Sequence, residues 1–126
     1  MHAQTLDLTL PPAPESVAEA RTRVLDAVGP TLAEAQLETL RLLVSEVVTN
    51  AVRHGARDEP VEVHVAWSSE VRIDVIDHGH GFTPVPRAGS FDEPGGFGLY
   101  LIGRLADRWG VETNSGTRVW FVLRPD

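Results

Sequence analysis

Residues 43–55 read LVSEVVTNAVRHG, a run in which apolar residues recur three and four positions apart. That spacing is typical of the buried face of an α-helix. Glu46 and Asn50 are four positions apart, so they lie one above the other on the helix surface, at the border of the apolar face. Gly55 follows the last helical position and predicts the helix end. The apolar residues of the whole face are Leu37, Leu40, Leu43, Val44, Val47, Val48, Ala51 and Val52.

The residues before this helix predict two further elements. Thr5–Leu10 alternates apolar and polar residues and is followed by two prolines, which indicates a short strand with a firm stop. Glu15–Val28 carries apolar residues at helical spacing and is followed by a glycine and a proline, which predicts a helix. We expect the helix that carries Glu46 to extend from Leu32 to His54.

The residues after it predict four strands, a long loop and a third helix. Alternating valines favour the first two strands, and an Asn-Ser-Gly turn favours a closing hairpin. A loop of this length is rare in a compact domain unless it has a function. The expected elements are strands around 61–66 and 71–76, a loop over Asp77–Gly96, a helix over Gly98–Trp109, and hairpin strands over 111–113 and 117–123.

The order of these elements predicts a single α+β domain over residues 1–126. Most of the strands are joined by short hairpins, which require neighbouring strands to be antiparallel. We therefore expect a two-layer α/β sandwich, in which a mostly antiparallel mixed sheet carries the helices on one face.

Composition excludes several classes of function. The net charge is −7, from 18 acidic and 11 basic residues, and this argues against direct nucleic-acid binding. No lysine is present, which excludes P-loop lysine and Schiff-base chemistry, and no cysteine is present, which excludes disulfides and thiolate chemistry. No apolar run approaches the roughly 20 residues that span a bilayer. We expect a cytoplasmic protein without a membrane partner.

Glu46 and Asn50 form the first candidate site. An amide oxygen suits Mg²⁺ that also binds waters and phosphates, and a carboxylate one turn away could activate a water or hydroxyl for attack on a phosphoryl group. The same pair is also common on the solvated face of a helix.

The second candidate site is the segment Asp77-His78-Gly79-His80-Gly81, at the end of an alternating strand. A carboxylate there could accept a hydrogen bond from an exocyclic amine such as that of adenine. The glycines would allow the backbone to approach a ligand closely or to adopt a positive φ. An ordinary Asp-x-Gly turn explains the same residues. The two histidines lack carboxylate or thiolate partners at ligand spacing, which favours a non-metal interpretation.

Two weaker patterns follow. The glycine-rich segment that contains Gly96 and Gly98 continues into a helix, whose N-terminal N–H groups could bind phosphate. Gly116 and Thr117 begin the last strand, where the hydroxyl could support the base-binding carboxylate. A hairpin turn alone explains this pair equally well.

In combination, these motifs resemble the box pattern of the GHKL ATPases, which include DNA gyrase and the histidine kinases. The pattern is Glu-x-x-x-Asn, Asp-x-Gly-x-Gly, a Gly-x-Gly lid and a late Gly-Thr, and it covers residues from about 5 to 124. The small size and the run of residues 43–55 are most similar to the anti-sigma-factor serine kinases. The resemblance implies the Bergerat-type ATP-binding fold.

The resemblance also implies a role for each matching residue, with ATP and Mg²⁺ as cofactors. Glu46 would be the catalytic base and Asn50 the Mg²⁺ ligand, and Arg53 would approach the phosphates. The nucleotide-binding residues would be Asp77 and Thr117 at the adenine, Gly79 and Gly81 at the pocket and lid hinge, and Gly96 and Gly98 at the phosphates.

An ATP-dependent protein serine/threonine kinase that regulates transcription by partner switching is the function that the resemblance implies. Its partners would be a sigma factor and an antagonist (anti-anti-sigma) protein, and homodimerisation stays open. The alternative is a nucleotide-gated module that sequesters a protein without phosphotransfer. Two departures from the family pattern favour this alternative: Phe97 stands where a basic residue is often found, and the expected lid, residues 83–94, is rich in proline.

Overall fold

A computed structural model describes residues 3–79 and 96–125 of the chain, without the side chains of residues 96–99. The helices in this part of the chain are α1 (Glu15–Val28), α2 (Glu34–His54) and α3 (Gly96–Leu105), with a short 3-10 turn over Gly29–Thr31. The strands are β1 (Gln4–Leu10), β2 (Val61–Trp67), β3 (Val71–Asp77), β4 (Arg108–Thr113) and β5 (Thr117–Leu123).

The five strands form one sheet in the order β1-β2-β3-β5-β4. All four pairings between the described strands are antiparallel. The β4–β5 connection turns through Asn114, Ser115 and Gly116, as the sequence predicts, with φ of 63° at Ser115 and 134° at Gly116. The expected α+β fold with a mostly antiparallel sheet is confirmed.

Burial alternates along the strands because one face of the sheet is covered by helices and the other is not. Val63, Ile73 and Phe121 are fully buried on the covered face, where the apolar stripe of α2 packs against β3 and β5. The opposite face, which we call the outer face, carries charged and polar residues such as His64 and Arg72. Helices on one face were expected, and the packing confirms them. In the described part of the chain, no helix is both long and apolar enough to cross a membrane.

The expected helix over Gly98–Trp109 is wrong at its C-terminal end, because α3 stops at Leu105. The Ala106 N–H donates to the Ile102 carbonyl oxygen at 2.9 Å and closes the last turn. The next N–H, of Asp107, donates to Val122 at 2.9 Å and joins the chain to the sheet. Trp109 continues the apolar spacing of the helix but belongs to β4. The expected lid, residues 83–94, lies outside the described residues.

Candidate functional site

Helix α2 positions Glu46 and Asn50 beside the core. Leu43, Val47 and Ala51 on the same helix are buried against the sheet, which fixes the rotation of α2. Asn50 is only 5% exposed, although a solvated face would leave it open to water. Glu46 is partly buried, and burial raises the pKa of its carboxyl group. The surface-only interpretation of this pair is therefore disfavoured.

Asp77 ends β3 with its side chain buried, at 3% exposure. Its Oδ1 accepts a hydrogen bond from the Gly79 N–H at 3.0 Å. Burial raises the pKa of the Asp77 carboxyl group, and three smaller effects oppose the rise: the Gly79 hydrogen bond and the charges of His54 and His78. A buried carboxylate at a strand end that still has acceptor capacity can receive a donor from a ligand.

Thr117 is the cross-strand partner of Asp77 in the β3–β5 ladder. It is 2% exposed, and its Oγ1 has no hydrogen-bond partner among the described residues. A buried hydroxyl without a partner costs about 1–3 kcal/mol. Asp77 and Thr117 thus place a carboxylate and an unsatisfied hydroxyl next to each other, which is suited to a ligand with both donor and acceptor groups.

The C-terminal end of α2 packs tightly on the turn that follows Asp77. A Cβ on Gly79 would clash with the His54 carbonyl oxygen, and a Cβ on Gly55 would lie 3.1 Å from the Asp77 Cβ. From the sequence alone, Gly55 was expected only to end the helix. A glycine directly after a helix that carries site residues was the available signal for this contact.

The contact between Gly55 and Asp77 sets the distance from Asp77 to the α2 residues Asn50 and Glu46. At 1.5 Å per residue, Asn50 lies about 7.5 Å along α2 from Gly55, and Glu46 lies about 13.5 Å from it. Asp77 is therefore at one end of a row whose other members are an amide and a carboxylate. An extended nucleotide has a base at one end and phosphates at the other, which matches this order of groups.

The motif pattern contains four further glycines, Gly81, Gly96, Gly98 and Gly116. Gly96 begins α3 and Gly98 lies in its first turn, so the expected run of glycine into a helix N-terminus is present. A Cβ on Gly116 would clash with the Asp77 carbonyl oxygen, so the hairpin needs glycine there for close approach as well as for its φ. Gly81 and His80 lie outside the described residues.

The donor set of α2 suits Mg²⁺ bound mainly through phosphates and waters. No group of three or more His, Asp or Glu side chains in the described segments could hold a metal ion by itself. Asn50 and Glu46 supply hard oxygen atoms one helical turn apart, and Mg²⁺ commonly takes only one or two protein ligands beside its phosphates. The Thr117 hydroxyl and the Asp77 carboxylate are neighbours, and together they suit a nucleobase, which carries both hydrogen-bond donors and acceptors.

Comparison with known proteins agrees with this arrangement. Residues 10–123 match the model of the histidine kinase-like ATPase domain family. The chain is 35% identical to a protein named serine-protein kinase RsbW from Bacillus velezensis, over 90% of this chain and 81% of that protein. It is 33% identical to the protein of the same name from Bacillus subtilis, over 94% of this chain and 84% of that one.

A solved structure supports the fold. The Acinetobacter baumannii histidine kinase AdeS superposes with a TM-score of 0.57 at 14% identity, covering 98% of this chain and 69% of that one. With the family match and the two sequence relatives, the fold and motif order lead to one conclusion. This chain belongs to the histidine kinase-like ATPase domain family, and its relatives there include serine-protein kinases, as the motif pattern predicted.

Proposed function

We propose that this chain is a cytoplasmic, ATP- and Mg²⁺-dependent protein serine/threonine kinase that regulates transcription by partner switching. It phosphorylates a hydroxyl of an antagonist protein and, in its other state, holds a sigma factor. The observation that carries the proposal is the buried Asp77–Thr117 pair, packed through Gly55 onto the helix that carries Asn50 and Glu46. The names of the sequence relatives support the same activity.

At the base end of the site, Asp77 accepts a hydrogen bond from the exocyclic amine of adenine. The Thr117 hydroxyl, which is next to Asp77, gains a hydrogen-bond partner from adenine or from a water shared by Thr117 and Asp77. Guanine presents a carbonyl oxygen where adenine has its amine, so it would face the carboxylate with an acceptor and is rejected. The buried position of the pair strengthens this discrimination, because an unpaired buried charge is costly.

At the phosphate end, Asn50 is the protein ligand of Mg²⁺, which neutralises charge on the phosphates when bound. Helix α3 packs against α2, and we infer that the backbone N–H groups at its start contribute to phosphate binding at the same end. Free N–H groups at a helix N-terminus bind phosphate oxygen atoms.

Glu46 accepts the proton of the attacking serine or threonine hydroxyl. The raised pKa of this partly buried carboxyl group makes it a stronger base than an exposed glutamate. General-base assistance by a positioned side chain typically contributes about 10²–10⁴-fold to a rate. The site therefore separates binding groups, Asp77 and Asn50, from a group that acts on the substrate hydroxyl.

A nucleotide-gated binding module is the second candidate function. Phe97 favours it, since it stands between the two lid glycines where a phosphate-directed basic residue would assist transfer. In this case ATP binding would control the capture of a protein partner, and the γ-phosphate would stay on the nucleotide.

One experiment separates the two functions. The chain is incubated with Mg²⁺ and γ-labelled ATP in the presence of antagonist proteins and sigma factors from the same genome. Transfer of label to an antagonist serine or threonine, with loss of sigma-factor capture as antagonist is added, supports the kinase. ATP-dependent capture with no labelled protein supports the binding module. No binding of ATP by calorimetry contradicts both.

A further inference from the structure

Four side chains form a continuous network on the outer face of the sheet, and the network ends beside Asp77 of the proposed nucleotide site. The His64 Nδ1 is 2.7 Å from Asp7 Oδ1, and the His64 Nε2 is 3.1 Å from Glu62 Oε1. The second oxygen of Glu62, Oε2, is 3.0 Å from His78 Nε2. This network, which we call the His64 network (Asp7, His64, Glu62 and His78), joins β1, β2 and the residue that follows β3.

The His64 network is complete only when His64 carries two protons. Both ring nitrogen atoms of His64 face carboxylate oxygens, which only accept hydrogen bonds when ionised. A neutral imidazole has one N–H, so it can donate to one of the two carboxylates but not to both. The hydrogen bond to Asp7 raises the pKa of His64 most, burial opposes the rise, and the bond to Glu62 adds to it.

Glu62 depends on the histidines in turn. Its pKa is lowered first by the hydrogen bond from His78 and next by the bond from His64, while partial burial opposes both. When His64 loses its second proton, the remaining N–H favours Asp7, because that contact is 2.7 Å long and the contact with Glu62 is 3.1 Å long. Glu62 then loses one of its two donors. The carboxylate that contacts His78 is then less constrained.

His78 connects the network to the site because it stands between Asp77 and Gly79. The Gly79 N–H donates to Asp77 Oδ1, and the charge of His78 lowers the Asp77 pKa. The position and charge of His78 therefore influence the carboxylate proposed to bind adenine. Glu62 contacts His78 from the outer face of the sheet, and His78 lines the same depression as Asp77.

The other charged groups that face the network are already paired. Asp74, the cross-strand partner of His64, is bound by Arg72 at 2.8 Å and by Arg118 at 3.0 Å. Arg118 also lies 4.0 Å from Glu112. These two residues and His78 line a depression of about 420 Å³ that Asp77 and Thr117 also line. Arginine keeps its charge at every physiological pH, whereas the imidazole of His64 changes its charge near neutrality.

We propose that Glu62 is a positioning residue for the Asp77 turn, acting through His78, and that nucleotide affinity falls as His64 loses its second proton. This inference rests on the proposed function, since it concerns the same nucleotide site. Because the folded-state pKa of His64 is raised, the complete network is present below that pKa and is lost as pH rises through it.

Calorimetry with Mg-ADP, from about pH 5 to about pH 8 where histidine titrates, provides the test. We expect wild-type affinity to fall about fivefold over this range, at the low end of typical coupling between two sites. Glu62→Gln and His64→Gln should bind more weakly than wild type at low pH and should lack the part of the pH dependence that comes from His64. The titration of the ADP phosphate, at about pH 6, is common to all the proteins. Glu70→Gln is the matched control, because it removes a carboxylate paired with Arg108 at the far end of β3, and it should follow wild type.

The outcomes distinguish this inference from the proposed function. Nucleotide binding with superimposable profiles for wild type and Glu62→Gln overturns the inference and leaves the proposed function intact. If wild type binds no nucleotide at any pH, the proposed function fails, and the amide shift of Gly79 in nucleotide-free protein decides the inference. A Gly79 shift that follows the His64 titration in wild type but not in Glu62→Gln supports the coupling, and equal shifts in both overturn it.

Discussion

Asp77 and Thr117 face each other across the last residue pair of the β3–β5 ladder, and both side chains are buried. The Asp77 carboxyl group has its pKa raised by burial, and the Thr117 hydroxyl lacks a partner among the described residues. Both features lower the stability of the free protein, and a valine or leucine at either position would avoid the cost. Costs of this kind are concentrated at functional sites, where a ligand compensates for them.

Thr117→Val tests this interpretation directly, since it replaces the hydroxyl by a methyl group of similar shape. We expect the free energy of unfolding of the nucleotide-free protein to rise by about 1 kcal/mol, because a buried unsatisfied hydroxyl is removed. ATP affinity should fall at the same time. Denaturant unfolding and calorimetry measure the two effects, with Thr9→Val on the exposed side of β1 as the control. A stability loss with unchanged ATP affinity would remove Thr117 from the site.

Asp77→Asn should also raise the stability of the nucleotide-free protein and lower its affinity for ATP, and the stability effect should depend on pH. The folded pKa of Asp77 is raised, so the wild-type protein loses stability as pH rises through that pKa, and asparagine does not. The variant should therefore be the more stable protein at neutral pH, and the difference should vanish in acid. ATP binding should weaken by about 1–3 kcal/mol, the usual cost of losing a hydrogen bond to a charged group. Unfolding curves at several pH values, with ATP and GTP titrations beside them, check both parts; equal wild-type affinity for ATP and GTP would contradict the assignment of Asp77.

The sequence predicts those parts of the fold that depend on local pattern. Spacing along α1 and α2 and the alternation along β2, β3 and β5 are local, and the structure agrees with them except at the start of α2, which is Glu34 and not Leu32. The C-terminal end of α3 was misplaced because Trp109 continues a helical spacing, while the hydrogen bond from Asp107 to Val122 that ends the helix joins residues distant in sequence.

For the site as well, the features set by local pattern were predicted and those set by contacts between distant residues were not. Glu46 and Asn50 were found because helix geometry fixes their relation. The contact of Gly55 with Asp77 and the pairing of His64 with Asp7 depend on tertiary packing and strand register, which a single sequence does not encode in any local pattern. The His64 network was missed for this reason, and its histidine at position 78 was considered only as a metal ligand.

Gly116→Ala should destabilise the protein more than replacement of a glycine whose backbone conformation and surroundings accept a side chain. Its φ of 134° is unfavourable for a side chain, and a Cβ there would clash with the Asp77 carbonyl oxygen. We expect a loss of at least about 2 kcal/mol in the free energy of unfolding. Gly29→Ala is the control, since its Cβ would meet only Leu37 Cδ1 at 3.5 Å, and this change should be neutral or stabilising. Equal effects of the two changes in urea denaturation would argue against the tight hairpin.

Asn50→Ala should remove most of the Mg²⁺-dependent part of ATP binding. The amide carries no charge of its own, so its contribution to phosphate binding is expected through the metal. Calorimetry with ATP in Mg²⁺ and in EDTA separates the two parts, and wild type should bind more tightly in Mg²⁺ whereas the variant should bind almost equally in both. Arg23→Ala, an exposed change on α1, is the control and should follow wild type. Retention of the full Mg²⁺ effect in Asn50→Ala would exclude this residue as the ligand.

Glu46→Gln decides between the kinase and the binding module. Glutamine keeps the size of the side chain but cannot accept the proton of an attacking hydroxyl, so we expect phosphotransfer to fall by about 10²–10⁴-fold while ATP affinity changes by less than about tenfold. Because burial raises the pKa of Glu46, the variant should also be the more stable protein above that pKa, which excludes unfolding as the cause of lost transfer. The measurement is transfer of labelled phosphate to an antagonist protein, with Glu38→Gln on the exposed side of α2 as the control. Transfer that survives Glu46→Gln would contradict the role of Glu46 as the base, and an inert wild type that still captures its partner in an ATP-dependent manner would favour the binding module.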